Sequence, residues 1–172
     1  MLKLAGSLLV IIASVGFGVC LCRDMTEHLR LLYIIRKMLV DISYAAASSM
    51  QPVEILLGCF VRTKEERLDA ALKKIAEELI EKQEENGEEV WKKVFLAYRR
   101  ELHLTEEEMD ILAGAGSAFF GKSMEENQRR LELTLERLDF LIETTRSGQK
   151  EKQKVCQTVS VISGLMLVLL LL

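Results

Sequence analysis

The sequence predicts an all-α protein, with a helical bundle between two apolar ends. Three observations favour this fold class. Proline occurs once in 172 residues, runs that alternate polar and apolar residues are scarce, and apolar residues recur at helical spacing through the middle of the chain. The middle segment 23–154 is long enough to bury one bundle core, so we predict a single domain between the two ends.

The first element is the uncharged apolar run of residues 4–22. A helix of about 20 apolar residues crosses a bilayer, so we predict an N-terminal transmembrane helix within 1–22. A secretory signal peptide is the alternative, with Lys3 ahead of the run and a poor cleavage site at Gly16-Phe17-Gly18. The apolar run continues past that site to Cys22, which favours the transmembrane helix.

The segment 155–172 is the corresponding element at the other end, and it also carries no charge. As a helix it would span about 27 Å, close to the ~30 Å hydrocarbon core of a bilayer. We therefore predict a C-terminal transmembrane helix.

The two predicted spans each contain a pair of small residues four positions apart. These residues are Ser14 and Gly18 in the first span and Ser160 and Gly164 in the second. Small residues at this spacing let membrane helices approach closely, so one hypothesis is that the spans pack against each other there. The competing interpretation is the ordinary abundance of glycine and serine in membrane helices.

Basic residues lie at the inner ends of both spans and indicate the topology. They are Arg23, Arg30, Arg36 and Lys37 after the first span, and Arg146, Lys150, Lys152 and Lys154 before the second. Only Lys3 and the amino terminus lie on the far side. The positive-inside rule therefore places segment 23–154 in the cytoplasm and both termini outside.

The first half of the middle segment contains an apolar helix and then a capped one. Residues 24–49 are apolar nearly all round, which is typical of a helix at the centre of a bundle or against a partner. Pro52 suits the first turn of a short stretch over 52–60. Thr63-Lys64-Glu65-Glu66 then forms a capping box for a helix that we predict to end at Asn86-Gly87.

Three more helical segments are predicted in the second half. Residues 88–102 carry Trp91, which we expect in the core. Thr105 opens the next capping box, before a helix through the small-residue patch 113–116 to Phe120, where the pattern favours close helix packing over a phosphate loop. Ser123 opens a third box, before a long last helix with Leu131, Leu135, Leu138 and Ile142 on one stripe.

Composition and motifs argue against several classes of function. The mildly acidic, mixed-sign surface is not typical of nucleic-acid binding. Neither His28 nor His103 completes a Glu-x-x-His pair, and no HExxH or GxSxG motif occurs. Residues 116–123 read GSAFFGKS and match the GxxxxGK[ST] pattern, but they continue a helix-period stretch instead of linking a strand to a helix, which argues against a phosphate loop. The four cysteines form no CxxC pair. We therefore expect no enzyme activity, no cofactor, no metal and no small-molecule substrate.

Four short motifs, taken in order, resemble one family along the whole chain. They are the start MLKLAGSLLVIIA with Gly6 and Gly18, then Asp41-Ile42-x-Tyr44 followed by Pro52, then Phe120-Gly121-Lys122-Ser123 followed by Gln128, and the end from Gly164-Leu165. At this total length they are similar to the stage III sporulation protein AB family. The chain departs from the family pattern in having Asp41 for a glutamate, His28 near a usual arginine, and Ser123 as the cap beside Met124, near which the family has an acidic residue.

The resemblance implies a six-helix antiparallel bundle flanked by N- and C-terminal transmembrane helices, similar to the F-type platform subunit of type II secretion systems. It implies a non-enzymatic subunit of the channel complex that links mother cell and forespore. The subunit would lie in the mother-cell membrane around the forespore, beside other membrane subunits, and its cytoplasmic bundle would dock a secretion-type ATPase.

The motifs that carry the resemblance also supply candidate partner contacts. These are Asp41, Tyr44, Pro52, Gly121 and Gln128, for which turn setting and capping are the competing interpretation. A tail-anchored regulator that binds a partner helix is the alternative function. It predicts an exposed apolar groove and a dispensable first run.

Overall fold

A computed structural model describes the chain except for residues 1, 50–55, 59–62, 64, 82–85, 122 and 172. Further side chains inside the helices, most of them in 2–25 and 150–171, also lie outside the described part. The described helices are α1 (Leu2–Ser49), α2 (Glu66–Glu81), α3 (Gly87–Leu102), α4 (Glu106–Gly114), α5 (Gly116–Phe119) and α6 (Met124–Leu171). Residues 56–58 are also helical, and the described residues contain no strand, which confirms the all-α prediction.

Backbone contacts divide the chain into two compact units. One consists of residues 1–30 and 143–172, and the other of residues 31–142. The long helices α1 and α6 contribute residues to both units, whereas α2 to α5 lie entirely in the second. The second unit contains the core and the surface considered below.

No helix in the described part of the chain offers a stretch that is both long and apolar enough to cross a bilayer. Most side chains of the predicted spans 4–22 and 155–172 lie outside the described residues. The same is true of the small residues proposed to pack the spans together, Ser14, Gly18, Ser160 and Gly164. The two transmembrane helices and their packing therefore stay predictions.

The core of the second unit is built from the helix faces that the apolar spacing predicts. On α2, Leu68, Leu72 and Ile75 are fully buried. On α6, Leu131 and Leu138 are buried, seven residues apart and so on one face of the helix. The buried apolar side chains of α1 follow the same rule, and they are Leu31, Leu32, Ile35, Met38, Leu39 and Ile42.

Trp91 is fully buried, as predicted, and holds α3 against α4 and α5. Its indole Nε1 donates a hydrogen bond to the carbonyl oxygen of Leu112 at 2.8 Å. Its ring packs against Phe95 and Phe119 with centroids 4.8 and 5.4 Å away. A Cβ on Gly116 would come within 2.8 Å of the indole, so the small-residue patch does allow close helix packing here.

The helix caps confirm one predicted capping box and give Asn86 a role that differs from the predicted one. Thr105 accepts from the backbone N–H of Glu108, and the Glu108 side chain accepts from the N–H of Thr105, as predicted. Asn86 caps α3, because its side chain accepts from the N–H of Glu88 at 3.2 Å; α2 is described to Glu81, and residues 82–85 lie outside the described part. Asparagine is a strong N-cap as well as a helix stop, and the sequence motif does not separate the two roles.

In the capping box predicted at Thr63, the backbone N–H of Thr63 would bond to the side chain of Glu66, but the structure gives it a different partner. The N–H of Thr63 donates to the Asp69 carboxylate at 2.8 Å, and α2 begins at Glu66. The predicted helix from Thr105 to Phe120 is also divided, since α4 ends at Gly114 and α5 begins at Gly116.

Candidate interaction surface

A groove lies between α4–α5 and α6, and we call it the α4–α6 groove. Its wider part, about 700 Å³, is lined by Glu107, Asp110, Ile111, Glu136, Arg137 and Phe140. A narrower part of about 250 Å³ shares Asp110, Ile111 and Arg137 with it, and adds Gly114, Ser117, Arg130, Leu133 and Thr134. Glu107 at the start of α4 lines the same end of the groove as Phe140 on α6, and Ser117 on α5 lines the same end as Arg130. The two walls therefore run antiparallel.

The α4–α5 wall is held in place by contacts with α3. Trp91 fixes the last turn of α4 through its bond to Leu112, and the absence of a side chain at Gly116 lets α5 lie on the indole. At the start of α4, Glu106 forms an ion pair with Arg99 at 2.9 Å, which joins α3 to α4. The wall is therefore packed on the core at its Leu112–Gly116 end and joined to α3 by an exposed ion pair at its start.

The α6 wall is positioned by the turn that follows α5. The side-chain amide of Asn127 donates to the carbonyl oxygen of Gly121 at 3.0 Å. A Cβ on Gly121 would lie only 1.9 Å from Oδ1 of Asn127, so a larger residue could not keep this arrangement. Gly121 thus has a structural role in setting the turn.

An ion pair joins α6 to α1 across the same unit. The guanidinium of Arg36 donates twice to Asp139, from Nε to Oδ1 and from Nη2 to Oδ2, the second bond measuring 2.9 Å. The hydrogen bond from Arg36 lowers the pKa of the Asp139 carboxyl below its ordinary value, against a smaller opposing effect of burial. This pair was not among the predicted sites, because its members are 103 residues apart.

The predicted contact residues are only partly placed on one surface. Tyr44 is 75% exposed and Asp41 half-buried on α1, whereas Gly121 and Gln128 are exposed around the start of α6. Among the described residues, no hydrogen bond or ion pair joins the α1 residues to Gly121 or Gln128. Pro52 lies outside the described residues. The contact role of all five stays a prediction.

The groove was not predicted, although α6 carries a signal for it. Leu133 and Phe140 are 51% and 75% exposed. At about 100° per residue, Leu133 lies some 200° around the helix from buried Leu131. A helix with apolar stripes on opposite faces indicates a second contact, and this spacing could have identified the groove.

No group of three or more His, Cys, Asp or Glu side chains that could hold a metal ion occurs within the described part of the chain.

In a comparison with protein families, the model of stage III sporulation protein AB matches residues 3–172. The chain belongs to the stage III sporulation protein AB family. The match extends through both terminal runs and the whole bundle, which confirms the predicted resemblance and makes this a sporulation-related protein. No curated protein and no solved structure matches the chain.

Proposed function

We propose that this member of the stage III sporulation protein AB family is a non-enzymatic platform subunit of the sporulation channel complex. In this proposal the terminal runs 4–22 and 155–172 are transmembrane helices. They hold the bundle on the cytoplasmic side of the mother-cell membrane around the forespore, with both termini outside. The bundle docks a secretion-type ATPase beside the other membrane subunits of the complex.

Family membership over nearly the whole chain is the observation that carries this proposal. The uncharged ends and the basic residues inside them support membrane attachment and the cytoplasmic side. The open α4–α6 groove supports a binding role, since it combines exposed Leu133 and Phe140 with charged walls.

Co-purification tests the proposal directly. The full chain, tagged and extracted in mild detergent from sporulating cells, is expected to retain the secretion-type ATPase of the complex. A chain carrying only residues 1–22 and 155–172 joined by a flexible linker is the control for retention through the membrane parts. Recovery of the ATPase with the control but not with the full chain, or with neither, would contradict the proposal.

The groove also favours a second candidate, the tail-anchored regulator that binds a partner helix. The two functions differ in their need for the first run. A platform subunit loses function when residues 1–22 are deleted, whereas a tail-anchored regulator keeps it. Sporulation efficiency of the deletion strain, with the protein level checked by immunoblot, distinguishes the two.

A further inference from the structure

We propose that the α4–α6 groove binds one helix of a partner protein, and that this helix is amphipathic and cationic. The inference rests on the proposed function, because it specifies the chemistry by which the bundle docks its partner. It follows from the length of the groove, the position of its apolar side chains and the charge of its walls.

The dimensions of the groove fit a short helix. One wall runs from Glu107 to Ser117 and the other from Arg130 to Phe140. The α6 wall lies in one helix, so at ~1.5 Å per residue it is about 15 Å long, or nearly three helical turns. An α-helix presents side chains at i, i+4 and i+7 over this length, and helix-in-groove docking uses that set of anchors.

The apolar part of the groove provides the contacts for those anchors. Leu133 and Phe140 lie seven residues apart on one face of α6, and half-buried Ile111 faces them from α4. Together with Met124 in the first turn, Leu133 and Phe140 are the exposed large apolar side chains of α6 among residues 124–142. Covering these side chains with aliphatic groups is favourable, because it removes apolar surface from water.

The charge of the wider end selects a cationic helix. Glu107, Asp110 and Glu136 line it, and within the described residues none of the three takes part in an ion pair. Arg137 lines the same end, so three carboxylates and one guanidinium leave a net charge of −2 there, and Arg130 in the narrower part is paired with Glu126 at 2.6 Å. The carboxylates thus present excess negative charge, which attracts lysine and arginine and repels an anionic lipid surface.

Site-specific photocrosslinking in sporulating cells tests the inference in the full chain. The variant Phe140→p-benzoylphenylalanine places the crosslinker in the groove. The matched control Ile80→p-benzoylphenylalanine places it at a residue of α2 that is 64% exposed and does not line the groove. After irradiation, the crosslinked peptide is identified by mass spectrometry.

The expected result is a crosslink from position 140 to an amphipathic segment rich in lysine and arginine. No such crosslink is expected from position 80. Its yield is expected to fall about fivefold in the background Glu107→Gln, Asp110→Asn and Glu136→Gln, since three carboxylates are neutralised and each exposed ion pair changes affinity by up to about that factor. The background Glu89→Gln, Glu125→Gln and Glu132→Gln removes equal charge outside the groove and is expected to leave the yield unchanged. Circular dichroism of both backgrounds checks that the helices remain folded.

Three results would overturn the inference: crosslinks to lipid, crosslinks to a second copy of this chain, or a yield at position 140 no higher than at position 80. The identity of the partner decides the proposed function separately. A cationic helix from another protein, together with failure of the ATPase to co-purify with the full chain, would support the groove and contradict the platform role. An ATPase that co-purifies but whose cationic helices do not crosslink from position 140 would support the platform and contradict the groove.

Discussion

At the scale of single residues, two neighbouring glycines in the small-residue patch have different surroundings. A Cβ on Gly116 would lie 2.8 to 3.2 Å from atoms of the Trp91 side chain, whereas a Cβ on Gly114 would meet nothing within 4 Å. The indole cannot move aside easily, since it is fully buried and hydrogen-bonded to Leu112. Packing therefore requires a glycine at position 116 but not at position 114.

The substitution Gly116→Ala is expected to lower the free energy of unfolding by about 1–3 kcal/mol through overpacking against Trp91. Gly114→Ala is the matched control. It is expected to leave stability unchanged or raise it by up to about 1 kcal/mol, because alanine is the better helix former. Chemical unfolding followed by Trp91 fluorescence measures both, and equal effects of the two substitutions would contradict the packing role.

The turn between α5 and α6 gives a second prediction at this scale. Gly121→Ala is expected to destabilise the bundle by about 1–2 kcal/mol, because its Cβ displaces the Asn127 side chain from its hydrogen bond. In the background Asn127→Ala that cost should largely disappear, since the clashing amide is gone. A double-mutant cycle measured by thermal unfolding checks the coupling, and additive effects would show that Gly121 and Asn127 act independently.

At the scale of elements, the Arg36–Asp139 pair joins α1 to α6. Both side chains are partly exposed, at 39% and 48%, so solvent screens their attraction. The paired, two-bond geometry places the pair toward the upper end of what exposed ion pairs contribute, about 0.5–1 kcal/mol.

The pair predicts a pH dependence of stability. The pKa of Asp139 is lower in the folded protein than its ordinary value, so its contribution is present above that ordinary value and is lost as pH falls through the folded pKa. Asp139→Asn is expected to reduce the free energy of unfolding by about 0.5–1 kcal/mol at pH 7. Urea unfolding at pH 7 and at a pH below the folded pKa of Asp139 measures the stability difference between the two proteins. The difference should vanish at the lower pH. A difference that stays constant down to pH 2 would assign the loss to another cause.

The sequence predicts helix faces much better than contacts between helices. Leu68, Leu72 and Ile75 recur at helical spacing, and that spacing determines which side of α2 can be buried. Thr105 and Glu108 are also predictable as a cap, because both partners lie within one turn. Arg36 and Asp139 meet only after the chain has folded, so no local pattern identifies them as partners.

The α4–α6 groove could be predicted in part from the sequence. Its α6 wall could be predicted from the second apolar stripe, Leu133 and Phe140, opposite the buried one. Its α4–α5 wall could not, because the position of Ile111 depends on the break between Gly114 and Gly116 and on packing against Trp91. The candidate contacts Gly121 and Gln128 followed from family resemblance, and their contact role stays a prediction; the structure adds a role for Gly121 in setting the turn before α6.

At the scale of the whole molecule, the proposed function depends on where the two ends of the chain lie. All charged residues except Lys3 fall between Arg23 and Lys154, and α1 and α6 contain both an uncharged end and a part of the bundle unit. In the proposed platform, these ends retain the bundle at the membrane while its grooved surface binds the partner.

Membrane topology tests this claim most directly. Fusions of a reporter active only outside the cytoplasmic membrane, and of one active only in the cytoplasm, are made at each terminus of the full chain. The account predicts that at both termini only the external reporter is active and that the mature protein keeps its first residues. Cytoplasmic reporter activity at either terminus, or a mature protein that begins after residue 22, would contradict it.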